Sequence, residues 1–132
     1  MSTTNYGFQV HAERLAIARL APADDIPTWA RGGFVAITRT AAELSIVCAQ
    51  AHVPADIVQE RDKIAFGIVG TVPMTTIGLL ASLCTALAEA RVPVFVISTY
   101  DTDWLLVSAN HFDTACAALV RSGYRVTGEM PQ

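Results

Sequence analysis

Hydrophobic and polar residues change their period several times along the chain, and the clearest succession lies in the second half. Lys63 to Val69 (KIAFGIV) is apolar and rich in β-formers, and Gly70-Thr71-Val72-Pro73 stops it. From Thr76 to Arg91 the residues Leu80, Leu83, Cys84, Leu87 and Ala88 recur at helical spacing, with Thr75 or Thr76 as N-cap and Arg91 at the C-terminal end. Val92-Pro93 breaks that helix. Val94 to Thr99 (VFVIST) then reads as a strand, Tyr100 to Asp103 as a tight turn, and Trp104 to Val107 (WLLV) as the returning strand of a hairpin. Asn110 caps a second predicted helix, Phe112 to Ser122, with Phe112, Ala115, Cys116, Leu119 and Val120 on one apolar face and Gly123 as its C′ residue. A strand from Tyr124 to Thr127 completes the order βαββαβ, the ferredoxin-like arrangement.

The first half is a looser version of this order. Leu15 to Leu20 reads as a strand, Ala23 to Trp29 as a short helix interrupted by Pro27, Phe34 to Thr38 as a strand and Glu43 to Ala49 as its hairpin partner, while Pro54 to Asp62 has room for one helical turn only. A repeat ties the halves together: FVAITRTAAELSIVCA from Phe34 resembles FVISTYDTDWLLVSA from Phe95. Pairing Phe34 with Phe95 and Thr38 with Thr99 gives an offset of 61, falling to 60 at Val47 and Val107 if one turn residue is dropped. The fold class expected is α+β, with two ferredoxin-like βαββαβ units, residues 1–62 and 63–132, packed side by side and the first one degenerate. No glycine-serine linker divides them, which predicts a rigid tandem. A crevice between duplicated units is a natural place for a ligand.

Composition narrows the function classes. At 52% hydrophobic and 16% charged residues, the chain is more apolar than an average soluble domain, which fits either a dense core or a surface covered in a homo-oligomer. Net charge is -3, and one lysine, Lys63, with eight scattered arginines makes no basic stripe. Binding to nucleic acid or to an anionic membrane surface is therefore not expected. The apolar stretch Ile77 to Ala88 is far short of the ~20 residues that span a bilayer. MSTTNYGF carries no secretory pattern, and Cys48, Cys84 and Cys116 sit among apolar neighbours, so buried free thiols in a reducing cytoplasm are expected.

No catalytic constellation in the sequence is convincing. His11, His52 and His111 are isolated, without HxxxH or HExxH spacing, and no GxSxG, GxGxxG or GxxxxGK[ST] motif occurs. Gly67 and Gly70 read as a strand kink and a turn. Asp101 and Asp103 are either an acid-base pair or solvated turn formers, and a small enzyme using one of them as a base, with His111 or Tyr100 assisting, ranks last among the readings. What stands out is convergence. The loop Thr71 to Thr76, Gly78, the tip Tyr100 to Asp103 and the matching tip Arg39 to Glu43 all fall at one end of the predicted sheet. Such an end suits a zwitterion, with backbone N–H groups at the helix start holding a carboxylate and Asp103 holding an ammonium. Gly78 serves either ligand approach or close helix-sheet packing.

The βαββαβ order of Lys63 to Thr127, the glycine at its first helix and the string ISTYDTDWLLV from Ile97 to Val107 resemble ACT domains. The resemblance is to tandem ACT proteins: small bacterial ACT proteins, similar to the cytosolic arginine sensors of animals and to the aspartate kinase regulatory region. It implies a non-catalytic regulatory or sensor protein that binds a small molecule, an amino acid, without a cofactor or metal, as a homodimer that acts on a partner enzyme. The alternative is a ligand-free protein-protein interaction module. The ligand-binding positions carried over are Thr71, Val72, Thr75, Thr76 and Gly78 in the loop after the first ACT strand, and Thr99, Tyr100, Asp101, Thr102 and Asp103 in the hairpin. Asp103 matches the family's ligand-contacting aspartate. The loop GTVPMTTIG departs from the family in lacking the acidic residue that many ACT domains place there. The differing tip of the first copy implies one competent site per chain.

Overall fold

The computed structural model describes residues 6–132, in the order β1 (Gly7–Val10), β2 (Leu15–Leu20), β3 (Ala36–Arg39), β4 (Leu44–Ala49), β5 (Gln59–Ile68), α1 (Leu79–Glu89), β6 (Phe95–Ser98), β7 (Asp103–Ser108), α2 (Phe112–Arg121) and β8 (Arg125–Thr127). Glu13–Lys63 form one unit, and Ile64–Pro131 with the described residues up to Ala12 form the other.

The C-terminal unit carries the βαββαβ order as β5-α1-β6-β7-α2-β8, and its strands lie in the order β6-β7-β5-β1-β8. β1 was not expected. It runs antiparallel to β5, with Phe8 opposite Ile68, and parallel to β8, with Phe8 opposite Val126. Four residues are too few to display a period, so only pairing on both sides defines this strand. One face of these strands supplies Phe8, Val10, Ile64, Phe66, Ile68, Leu105 and Val107 to the core, which α1 closes with Leu79, Leu83 and Leu87, and α2 with Phe112, Ala115, Ala118 and Leu119. The buried stripes differ from the expected ones. Ala88 and Val120 point outward, and Leu79 and Ala118 take their places.

Helix ends explain much of the shift. Neither Thr75 nor Thr76 caps α1: the Thr76 N–H donates to the Pro73 carbonyl (2.9 Å), and the N-cap is Gly78 at φ 86°. Asn110 does not cap α2 either, because Ala109–His111 form a 3-10 turn that leads into it with His111 as N-cap. Both helices end in Schellman motifs. Arg91 N–H meets Ala88 O and Val92 N–H meets Leu87 O after α1, while Gly123 N–H meets Val120 O and Tyr124 N–H meets Leu119 O after α2. Gly123 is the expected C′ residue at φ 98°, whereas Arg91 holds φ 62° without being glycine.

Tyr124, past the second motif, lies edge-on to Phe8 with ring centroids 5.6 Å apart, and its buried hydroxyl has no hydrogen-bond partner among the described residues. An unmatched buried hydroxyl costs stability. Tyr124→Phe is therefore expected to raise stability by about 1 kcal/mol, seen as a higher urea midpoint at constant m-value.

The N-terminal unit has strand order β3-β4-β2-β5, using the part of β5 before Ile64. Its small core consists of Ala16, Ala18, Leu44, Ile46, Cys48 and Val53, with Trp29 and Ile57 packed against it. Among the described residues it contains no α-helix. The helix expected at Ala23 to Trp29 is a set of turns: Asp24 N–H donates to Ala21 O, the Asp24 carboxylate accepts from Ala21 N–H, and Ala30 N–H donates to Pro27 O. Pro27 removes a helix donor and disfavours helical backbone at Ile26. A bulge marks the end of the unit, where Leu15 faces Lys63 but Ile17 faces Glu60. There Asp62 adopts φ 60°, its N–H donates to Gln50 Oε1 (2.6 Å), and its carboxylate accepts from Gln50 Nε2 (3.0 Å) and Arg14 Nη1 (3.1 Å). The Gln50 amide first, and then Arg14, hold that carboxyl below its usual range.

Candidate functional site

The β6–β7 hairpin places its polar residues by register. Phe95 faces Leu106, Ile97 faces Trp104 and Ser98 faces Asp103, which leaves Thr99–Thr102 as a four-residue turn. Thr99 N–H donates to Thr102 O (2.8 Å), and Thr102 N–H donates to Thr99 Oγ1 (3.3 Å). Thr102 Oγ1 donates to Ile68 O at the end of β5 (3.3 Å). The Ser98 hydroxyl donates to Asp103 Oδ1 at 2.5 Å, which fixes the carboxylate across the hairpin. The loop between β5 and α1 is tied to the same tip, because Val72 N–H donates to Asp101 O (2.7 Å).

Between loop, tip and helix start lies a cavity of about 230 Å³, lined by Val72, Pro73, Met74, Thr76, Leu79, Leu80, Ser98, Thr99, Tyr100, Thr102 and Asp103. Of the ten positions expected to bind ligand, it brings together Val72, Thr76, Thr99, Tyr100, Thr102 and Asp103. Thr71, Thr75, Gly78 and Asp101 are exposed outside the lining, although the Asp101 carbonyl anchors the loop. For Gly78 the packing reading falls away, because a Cβ there would meet nothing within 4 Å; what calls for glycine is its backbone at φ 86°. Pro73 and Met74 lie within the loop expected to contribute, though not among the ten positions, and Leu79, Leu80 and Ser98 were not anticipated. Ser98 had a readable signal, since a four-residue turn closed by Thr99 sets it opposite Asp103. Asp103 is the one charged side chain in the lining.

The N-terminal unit repeats this hairpin at an offset of 59, not 61 or 60. Ala36 faces Val47 as Phe95 faces Leu106, and Arg39 faces Leu44 as Ser98 faces Asp103. Thr40 closes its turn as Thr99 does, with Thr40 N–H on Glu43 O (2.9 Å) and Glu43 N–H on Thr40 Oγ1 (3.3 Å). The Phe34–Phe95 alignment maximised identities, but hydrogen bonds set the true equivalence. Asp103 therefore corresponds to Leu44, which is fully buried, and Ser98 to Arg39, whose guanidinium donates to Pro22 O. The carboxylate belongs to the second copy alone.

Trp104, next to Asp103, fixes β7 from its other side. A Cβ on Gly67 would come within 2.5 Å of the Trp104 ring, so this glycine is required by close approach and is more than a kink. His11 packs edge-on to the same indole at 6.3 Å. Gly67→Ala is expected to cost about 1–3 kcal/mol by overpacking and to shift tryptophan emission as the indole leaves its seat.

Catalytic and metal chemistry gain no support from the geometry. No group of three or more His, Cys, Asp or Glu suited to a metal occurs among the described residues. His52 Nδ1 lies 2.8 Å from Arg31 O on the exposed side of its unit. Cys48 is buried, but Cys84 and Cys116 are only half-buried, which corrects the expectation for those two. Burial pushes the thiols of Cys48 and Cys116 up, away from reactivity.

The family model "ACT domain" matches residues 58–121, the stretch that builds the cavity. The regulatory subunit of aspartate kinase from Thermus thermophilus superposes with a TM-score of 0.63 at 16% identity, over 88% of this chain and 95% of that one. The chain contains an ACT domain. A second family model, describing the N-terminal domain of a group of related proteins, matches residues 13–56 of this ACT protein. A solved structure from Agrobacterium tumefaciens is 32% identical, with a TM-score of 0.89 and 96% of each chain covered. A Vibrio cholerae protein of unknown function, described as a possible transport protein, shares the fold at 19% identity and a TM-score of 0.75 over 91% of each chain. A comparison with curated proteins found no match. No helix among the described residues is long and apolar enough to cross a membrane.

Proposed function

We propose that this ACT protein binds an amino acid in the cavity between the Val72–Leu80 segment and the β6–β7 tip, and that it acts as a non-catalytic sensor or regulatory subunit. One observation carries the reading: Asp103, the single charged side chain of the lining, shares the cavity with Leu79 and Leu80 of the first turn of α1. A carboxylate and a helix start are complementary to the ammonium and carboxylate of a zwitterion, because first-turn N–H groups have no partners within the helix and sit at the positive end of its dipole. No histidine, cysteine or lysine lines the cavity to form a nucleophile-base pair, which favours binding over turnover. Regulation of an enzyme, as named for the Thermus subunit, and pairing into a homodimer are parts of this proposal. Sedimentation velocity tests the pairing.

A thermal-shift screen of the twenty amino acids tests the binding. A ligand at 100 times its Kd is expected to add about 2.7 kcal/mol, and Asp103→Ala to remove the shift. A hit that survives Asp103→Ala unchanged would place the site elsewhere. If no amino acid stabilises the protein, the interaction-module reading takes over, with the exposed Met74, Ile77 and Tyr100 as its surface.

A further inference from the structure

We infer that the cavity selects amino acids whose side chains carry no charge, an inference that rests on the amino-acid reading above. Asp103 is the sole acidic or basic side chain of the lining, and on the amino-acid reading it is taken by the ammonium of the zwitterion. The remaining walls are the apolar Val72, Pro73, Met74, Leu79 and Leu80 and a set of hydroxyls, of which Ser98 already donates to Asp103. Asp101 offers no second anion to the interior: its carbonyl accepts the Val72 N–H and its side chain lies outside the lining.

A glutamate or aspartate side chain would therefore enter beside a like charge with no cation to meet it. A lysine or arginine side chain would compete with its own α-ammonium for Asp103 or lose hydration against Met74 and Leu80. Either charge stands in the lining without a partner of opposite sign, a cost that the exposed mouth at Met74 and Tyr100 lowers but does not remove. A neutral side chain meets the opposite situation. Met74 and Tyr100, 77% and 85% exposed at the mouth, are apolar surface that an aliphatic or thioether chain would cover.

Matched pairs isolate charge from size: norleucine against lysine, and glutamine against glutamate, measured by calorimetry on the full chain. The neutral member of each pair is expected to bind about tenfold more tightly, given the cost of an unpaired, partly desolvated charge. Met74→Glu, at an exposed position that folding tolerates, is expected to raise lysine affinity about tenfold or more relative to norleucine by supplying the missing anion. Lysine or glutamate binding the unmodified protein as tightly as its neutral partner, with binding still lost in Asp103→Ala, would overturn the selectivity and leave the amino-acid reading standing. The same holds if Met74→Glu brings no gain for lysine. If no amino acid binds at all, the amino-acid reading fails and the selectivity with it.

Discussion

Phe66→Ala is expected to destabilise the protein by about 3–5 kcal/mol, the cost of removing a fully buried phenylalanine together with the cavity it leaves. Phe66 is inaccessible to solvent and stacks on Phe112, with ring centroids 5.5 Å apart and an interplanar angle of 12°. The pair joins β5 to the first turn of α2, so its loss removes apolar area and an aromatic contact together. Domains of this size have about 5–15 kcal/mol in total, so the variant is left marginal, with a melting temperature lower by roughly 10–20 °C. Phe66→Leu, which keeps most of the volume, should lose less than half as much. Urea unfolding of both variants checks the ratio, and equal losses would mean that the stack, and not the filled volume, sets the stability.

Phe66 also shows what was legible in the chain. KIAFGIV, VFVIST and WLLV are continuous apolar runs bounded by glycine, proline or turn residues, so β6, β7 and β5 from Lys63 on could be read locally, and the helical spacing in the second half predicted α1 and α2, whereas Gln59 to Asp62, expected in a segment with room for one helical turn, begin β5 instead. What local pattern could not supply depends on partners distant in sequence. β1 exists because Phe8 pairs with both Ile68 and Val126. The start of α1 moves to Leu79 because Pro73 takes the Thr76 N–H and Gly78 turns the chain at positive φ. In the candidate site, the hairpin tip and Asp103 were readable as an acidic turn beside a glycine-opened helix. Leu79 and Leu80 were not, because their place in the lining depends on where α1 starts and on the loop being tied to the tip by the Val72–Asp101 hydrogen bond. The repeat misled in one respect. Identities such as Phe34 with Phe95 suggested an offset two residues too long, and the threonine side chains that close both turns corrected it.

That correction yields the second large effect, for Asp103→Leu. The equivalent position of the N-terminal unit is Leu44, held in the same hairpin register and fully buried, so this backbone site accepts leucine. Aspartate is poorly suited to a strand, and here the described structure gives its carboxylate one hydrogen bond, from Ser98. Leucine should add apolar burial at a half-buried site, so the ligand-free variant is expected to be more stable by about 0.5–1 kcal/mol. Binding should vanish at the same time: the gain of about 2.7 kcal/mol at 100 times Kd falls to none. Opposite signs make the test specific, because a variant that merely damages the fold lowers both quantities. A melting temperature below that of the unmodified protein would mean that Asp103 supports the hairpin, and a ligand shift that persists would remove it from the site. If both signs come out as expected, the second copy carries a residue that its own fold would replace with leucine, and the binding function accounts for its presence.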